Sequence, residues 1–139
     1  MLFDYDMLMD LSNLKSSYTN TLVDEKLGLQ RGNMFENEYK PYKNFNPEII
    51  RINNEKDELI LKLFESNFAI IDLNLYLDLN PNDDRIYEIY KSYVNNYEKI
   101  KNIYEEKYGP LEITCVDNKT YDWINNPWPW DNNGGNKDV

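Results

Sequence analysis

The sequence predicts a mainly α fold: an antiparallel two-helix hairpin with extended, aromatic-rich arms at its N- and C-terminal ends. Three observations predict it. Residues 54–79 and 84–108 carry apolar side chains in steps of three and four, the period of a helix face. The stretch Asn80-Pro81-Asn82-Asp83-Asp84 between them reads as a turn, so the second helix returns along the first. Outside the two periodic segments, aromatics gather in stretches punctuated by proline: Phe35, Tyr39, Tyr42 and Phe45 on one side, Trp123, Trp128 and Trp130 on the other.

Taken in order, residues 1–47 form an N-terminal arm. Met7, Leu8, Leu11 and Leu14 make a short amphipathic stripe that Ser, Thr and Asn interrupt from Ser16 to Thr21, so residues 1–27 are weakly helical at best. From Gly28 to Pro47 the chain reads as irregular but sticky. Pro41 and Pro47 push the residues before them toward extended backbone, which suits a segment laid across a surface rather than folded on itself.

Residues 48–130 form the helical unit. Its first helix begins at Asn54, a capping residue followed by acidic Asp57, and carries Leu61, Phe64, Phe68, Ile71 and Leu75 in one stripe. Leu63, Ile70, Leu73 and Leu77 widen that stripe until the helix is apolar on most sides. Such a helix is covered on more than one face, and a short domain does not easily supply two covers, so a partner chain is expected. Pro81 is placed to open the second helix, with Asp83 and Asp84 in its first turn. Ile86, Tyr90, Tyr93, Tyr97, Ile100 and Tyr104 then form a heptad-like seam that is aromatic instead of aliphatic. Gly109 reads as a left-handed cap and Pro110 stops continuation. Residues 111–116 alternate like a short strand, and residues 131–139, rich in Asn and Gly, read as a disordered C-terminus.

Composition excludes several functions. The chain has 139 residues, one domain's worth, and a net charge of −10, which argues against nucleic acid and against anionic membrane surfaces. There is no histidine, so neither a Ser-His-Asp nor a Cys-His nucleophile nor an imidazole zinc site can be built. The single cysteine, Cys115, allows no intrachain disulfide. The opening residues lack a signal-peptide pattern and no apolar run is long enough to span a bilayer, which predicts a cytosolic protein. The twelve tyrosines point to a wet, interface-rich core, because each ring can pack while its hydroxyl needs a partner.

Asp72, Asn74, Tyr76 and Asp78 alternate like the ligands of a calcium loop. An EF-hand loop needs Gly at its sixth position and a bidentate acid at its twelfth, whereas Leu77 and Asp83 stand there. Asp72, Asn74 and Asp78 are therefore read as structural polar residues. Asp72 lies on an apolar stretch and needs a tyrosine hydroxyl, an arginine or a backbone amide. Paired carboxylates for acid–base catalysis can always be found among 25 acids, and a thin helical hairpin offers little cleft to hold them. No catalytic residue, metal ligand or cofactor is assigned. Trp128 and Trp130 either pack on the tyrosine-rich hairpin or anchor a partner, and the residues leave both readings open; stacking on sugar rings fits less well without a rigid β scaffold. Phe35, Tyr39, Tyr42, Phe45 and Trp123 join them as candidate partner-binding residues. Self-association into homo-oligomers or a lattice is the competing use of the same surface.

Four blocks in order carry a resemblance: Phe68-Ala-Ile-Ile-Asp-Leu-Asn-Leu-Tyr-Leu-Asp78, Asn80-Pro-Asn-Asp83, Tyr104-Glu-Glu-Lys-Tyr-Gly-Pro-Leu111 and Asn126-Pro-Trp-Pro-Trp130. Residues 58–130 resemble the CotJB family of spore-coat proteins. Upstream, Arg31-Gly-Asn-Met-Phe-Glu-Asn-Glu-Tyr-Lys-Pro-Tyr42, within residues 28–47, is similar to a stretch of the companion CotJA family, with Asn33 in place of its usual Thr. The resemblance implies a non-enzymatic coat component made in the mother-cell cytoplasm and assembled onto the spore. It also implies a protein partner, a coat-located catalase of the dimanganese type.

Overall fold

The computed structural model of the chain describes residues 21–47, 50–114 and 121, so the tryptophan tail, Cys115 and the Met7–Leu14 stripe lie outside the described residues. Three helices follow in order: α1 (Glu25–Arg31), α2 (Glu55–Leu79) and α3 (Asp84–Tyr108), with a 3-10 turn at Glu36–Glu38 between the first two. Among the described residues there is no strand, only an isolated antiparallel bridge between Leu22 and Phe35.

Each helix starts where a side chain can satisfy its first free amides. Asp24 accepts from the Leu27 N–H at 2.7 Å, Asn54 from the Asp57 N–H at 2.8 Å, and Asp83 from the Ile86 N–H at 3.1 Å. Because Asp83 is the cap, α3 begins at Asp84 and Pro81 stays in the preceding turn instead of opening the helix. Gly32 ends α1 with a left-handed φ of 73°, and Gly109 ends α3 with φ 99° and ψ 174°, a positive φ paired with an extended ψ rather than the expected helical left-handed cap.

Two expectations are corrected. The stretch after Gly28 is not merely draped over a surface: it begins inside α1, and its Met34 (0% exposed) and Phe35 enter the core. Gly28 makes that approach feasible, since a Cβ there would fall on the Met34 Sδ. Residues 111–114 are bends and turns, not strand. With no sheet edge among the described residues to pair with, this segment is tied back by charge, as Glu105 accepts from the Leu111 N–H and Lys101 pairs with Glu112 at 3.1 Å.

The core forms two clusters along α2 and α3. One joins Met34 and Phe35 to Ala69, Leu73, Ile86, Ile89 and Tyr93; the other holds Leu59, Leu63, Ile100 and Tyr104. Fully burying one such side chain stabilises by roughly 1.5–3 kcal/mol. The face of α2 that packs inward is therefore Leu59, Leu63, Ser66, Ala69 and Leu73. These residues lie on the widening side, not on the Leu61–Leu75 stripe that stands out in the sequence. On α3 the buried residues do follow the predicted seam, and Ile89 joins it.

Candidate interaction surface

A 3-4 spacing recurs twice around α2, and among the described residues only one of the two seams is covered along its length. Leu59, Leu63, Ser66, Ile70, Leu73 and Leu77 face the clusters. Leu61, Phe64, Phe68, Ile71 and Leu75 repeat the same steps on another side. There Phe64 is 58% exposed, Ile71 52% and Leu75 59%, and Leu79 beyond them is 84% exposed. Leu61 and Phe68 are half-buried at the edge. Large apolar side chains at helical spacing on one face form a contiguous patch, which makes this face a candidate interaction surface. Among the described residues nothing lies over this face.

The flank of α2 between its two seams is covered by the chain before it. The Asp72 carboxylate accepts from the Met34 N–H at 2.8 Å, so the backbone amide is the partner this acid takes. Phe35 packs on Tyr76 with ring centroids 4.8 Å apart, and the Tyr76 hydroxyl donates to Asp83 at 2.9 Å. Asp83 thus caps α3 and holds the end of α2 at once. Asn74 and Asp78 are exposed. The calcium-loop spacing cannot converge, because the helix continues through it and alternate residues are rotated by about 200° about its axis. Among the described residues no group of three or more His, Cys, Asp or Glu is placed to hold a metal ion, and no helix is long and apolar enough to cross a membrane.

The candidate aromatic residues separate into different environments. Phe35 is 6% exposed in its own chain's core. Tyr39 is half-buried under the Arg31 guanidinium, whose carbon lies 3.9 Å from the ring centre while its Nη1 donates to Glu36. Tyr42 (83% exposed) and Phe45 stand outside both clusters on a stretch without helix. Trp123, Trp128 and Trp130 lie outside the described residues.

Electrostatics shape the covered side. Tyr93 is buried with its hydroxyl donating to Glu25 at 3.0 Å; burial first, and the neighbouring carboxylate second, push its phenol well above the usual range. Burial, reinforced by the charge of Glu25, also raises the Glu65 carboxyl. At the far end, Glu55 at the start of α2 meets Lys107 and Tyr108 at the end of α3, and the Lys107 hydrogen bond lowers its carboxyl. The bond from Tyr93 to α1 escapes sequence reasoning, although a buried tyrosine in the seam announces that its hydroxyl requires an acceptor.

A family model described as CotJB protein matches residues 57–131. The match covers α2, α3 and the segment beyond, and begins after the Gly28–Pro47 stretch. Neither the curated proteins nor the solved structures give a match.

Proposed function

The chain belongs to the CotJB family of spore-coat proteins, and from that premise we propose that it is a non-enzymatic assembly adaptor of the coat. Its client in this reading is a coat-located enzyme of the dimanganese-catalase type, and the protein is made in the mother cell before it joins the spore. The finer architecture of the reading is an antiparallel hairpin of α2 and α3 whose aromatic arms engage the client. Pairing of Glu55 with Lys107 at one end and of Tyr76 with Asp83 at the other supports that direction of the helices.

The observation that carries the adaptor reading is the exposure of Tyr42 and Phe45 on a non-helical stretch next to a packed helical body. Aromatic anchors on such a stretch each contribute up to several kcal/mol at an interface, which offsets the entropy of ordering it. Trp123, Trp128 and Trp130 are further anchors in the same reading. Co-expression with the catalase followed by size-exclusion chromatography tests it: co-elution is expected, and weaker co-elution for Tyr42→Ala combined with Phe45→Ala. Separate elution of the two proteins sinks the client.

A further inference from the structure

The chain between the 3-10 turn and Asn54 differs in charge from what surrounds it. Residues 39–53 hold Lys40, Lys43 and Arg51 against one acid, Glu48, in a protein with 15 cations and 25 acids. On the helices, Arg31, Lys62, Lys91, Lys101 and Lys107 each pair with a carboxylate. Lys40, Lys43 and Arg51 are exposed, and among the described residues no carboxylate pairs with them.

Within this basic stretch lies a tight turn. The Phe45 N–H donates to the Tyr42 carbonyl at 3.1 Å, and Asn44, the third residue of the turn, has a φ of 63°. Among the described residues no other non-glycine has a positive φ, a conformation that asparagine adopts more readily than most side chains. A turn closed in this way keeps its first and fourth Cα atoms within about 7 Å. The exposed Tyr42 and Phe45 therefore start from neighbouring points, with Lys43 between them in the chain. The base is fixed as well. Tyr39, three residues before Tyr42, lies under the Arg31 guanidinium that Glu36 holds.

We infer that the Tyr42–Phe45 turn is a preformed knuckle that docks on an acidic, partly apolar surface of another protein, with Asn44 as its positioning residue. The inference rests on the reading of Tyr42 and Phe45 as anchors and adds the chemistry of the surface that receives them. Two rings supply contact area at the centre, and the unpaired cations beside them match carboxylates at a polar rim. A turn closed before contact loses less entropy on docking. Lipid and nucleic acid fit less well. A polybasic membrane segment carries about four to eight cations, whereas this stretch has three in a chain of net charge −10. A phosphate backbone would meet repulsion from that charge on every side of the turn.

Peptide arrays probed with the labelled full chain test this without a client. Three sets share the same Leu and Phe positions and carry Asp and Glu, Lys and Arg, or Ser and Gln between them. A chain of net charge −10 without such a site retains the basic set best. Retention of the acidic set is expected instead, falling as salt rises. Lys40→Glu combined with Lys43→Glu should weaken it on the order of tenfold. Asn44→Val should weaken it several-fold, because a β-branched residue resists positive φ, and Asn44→Gly should restore it. Melting should not change in any of these variants, whose positions are exposed. Preference for the basic or uncharged set would overturn the proposal, as would acidic retention that survives the double charge reversal. Asn44→Val chains that bind like the wild type would remove the positioning role. Binding to phosphatidylglycerol vesicles through the same lysines would assign the knuckle to lipid and also overturn the proposal. Retention of the acidic set by a chain that does not co-elute with the catalase would sink that client and support the acidic docking surface.

Discussion

The two seams of α2 have the same spacing and opposite fates. Leu59, Leu63, Ser66, Ile70, Leu73 and Leu77 turn toward α3 and the clusters, whereas Phe64, Ile71 and Leu75 turn away, with Leu61 half-buried and Phe68 packed at the edge of the core. What separates them is size. The covered seam is interrupted by Ser66, with Ala69 beside it, where small side chains let the bulky residues of α3 approach; Tyr93 packs in the same cluster as Ala69. The open seam has no small residue, so α3 with its tyrosines could not lie as close against it. Periodicity announces that a face will be covered, and side-chain volume decides which neighbour can cover it.

The sharpest way to break that contrast is one substitution made twice. Leu73→Ala, at 0% exposure, should cost about 2–5 kcal/mol by leaving a cavity between α2 and α3. Leu75→Ala, two residues along and 59% exposed, should cost well under about 1 kcal/mol in the monomer. Urea unfolding measures both at low protein concentration, and equal losses would erase the distinction between the seams.

Next in size is the tie that covers the flank between them. Asp72→Ala should lose about 1–3 kcal/mol by leaving the Met34 amide without its acceptor. Asp72→Asn should lose less, because an amide oxygen can still accept. If the two variants unfold alike, the charge rather than the acceptor matters at this position.

A smaller effect concerns pH. The Glu65 carboxyl is raised in the folded protein, so the native state holds this proton more tightly than the unfolded chain does. Its contribution favours folding below the ordinary glutamate range and is lost as pH rises through the raised value. Glu65→Gln should therefore raise the melting temperature at neutral pH and leave it little changed in acid. Melting curves across that window check the sign, and a destabilised variant at pH 7 would refute the assignment.

The smallest effect expected lies at the other end of the helix pair. Glu55 is lowered by Lys107, so its contribution is present above the usual glutamate range and fades as pH falls through the lowered value. The pair is exposed, and Glu55→Gln should change stability only slightly at neutral pH, with the difference vanishing in acid.

Much of the fold could be read from particular residues. Asn54 stands where a helix needs a side-chain acceptor and caps α2 as expected, whereas Asp83, expected in the first turn after Pro81, is itself the cap of α3. The tyrosine seam of α3 is buried at Tyr93 and Tyr104 as its heptad spacing requires. Other features were not legible because they depend on distant partners. Nothing local distinguishes Phe35 from Phe45, yet one is in the core and the other is 43% exposed, since only the first is brought to Tyr76 by the bridge to Leu22. Residues 111–114 alternate in polarity like a strand, but a strand exists only where a second edge accepts its hydrogen bonds.

The sequence by itself determined that there would be two long helices, where the first begins and where both end, and that α2 carries apolar residues on more than one side. Those properties are set by residues three or four positions apart, within reach of one another along the chain. Which seam of α2 faces inward was decided only by the tertiary structure. So were the atom that satisfies Asp72 and the membership of Phe35 in the core. These depend on volumes and hydrogen-bond partners supplied from tens of residues away along the chain.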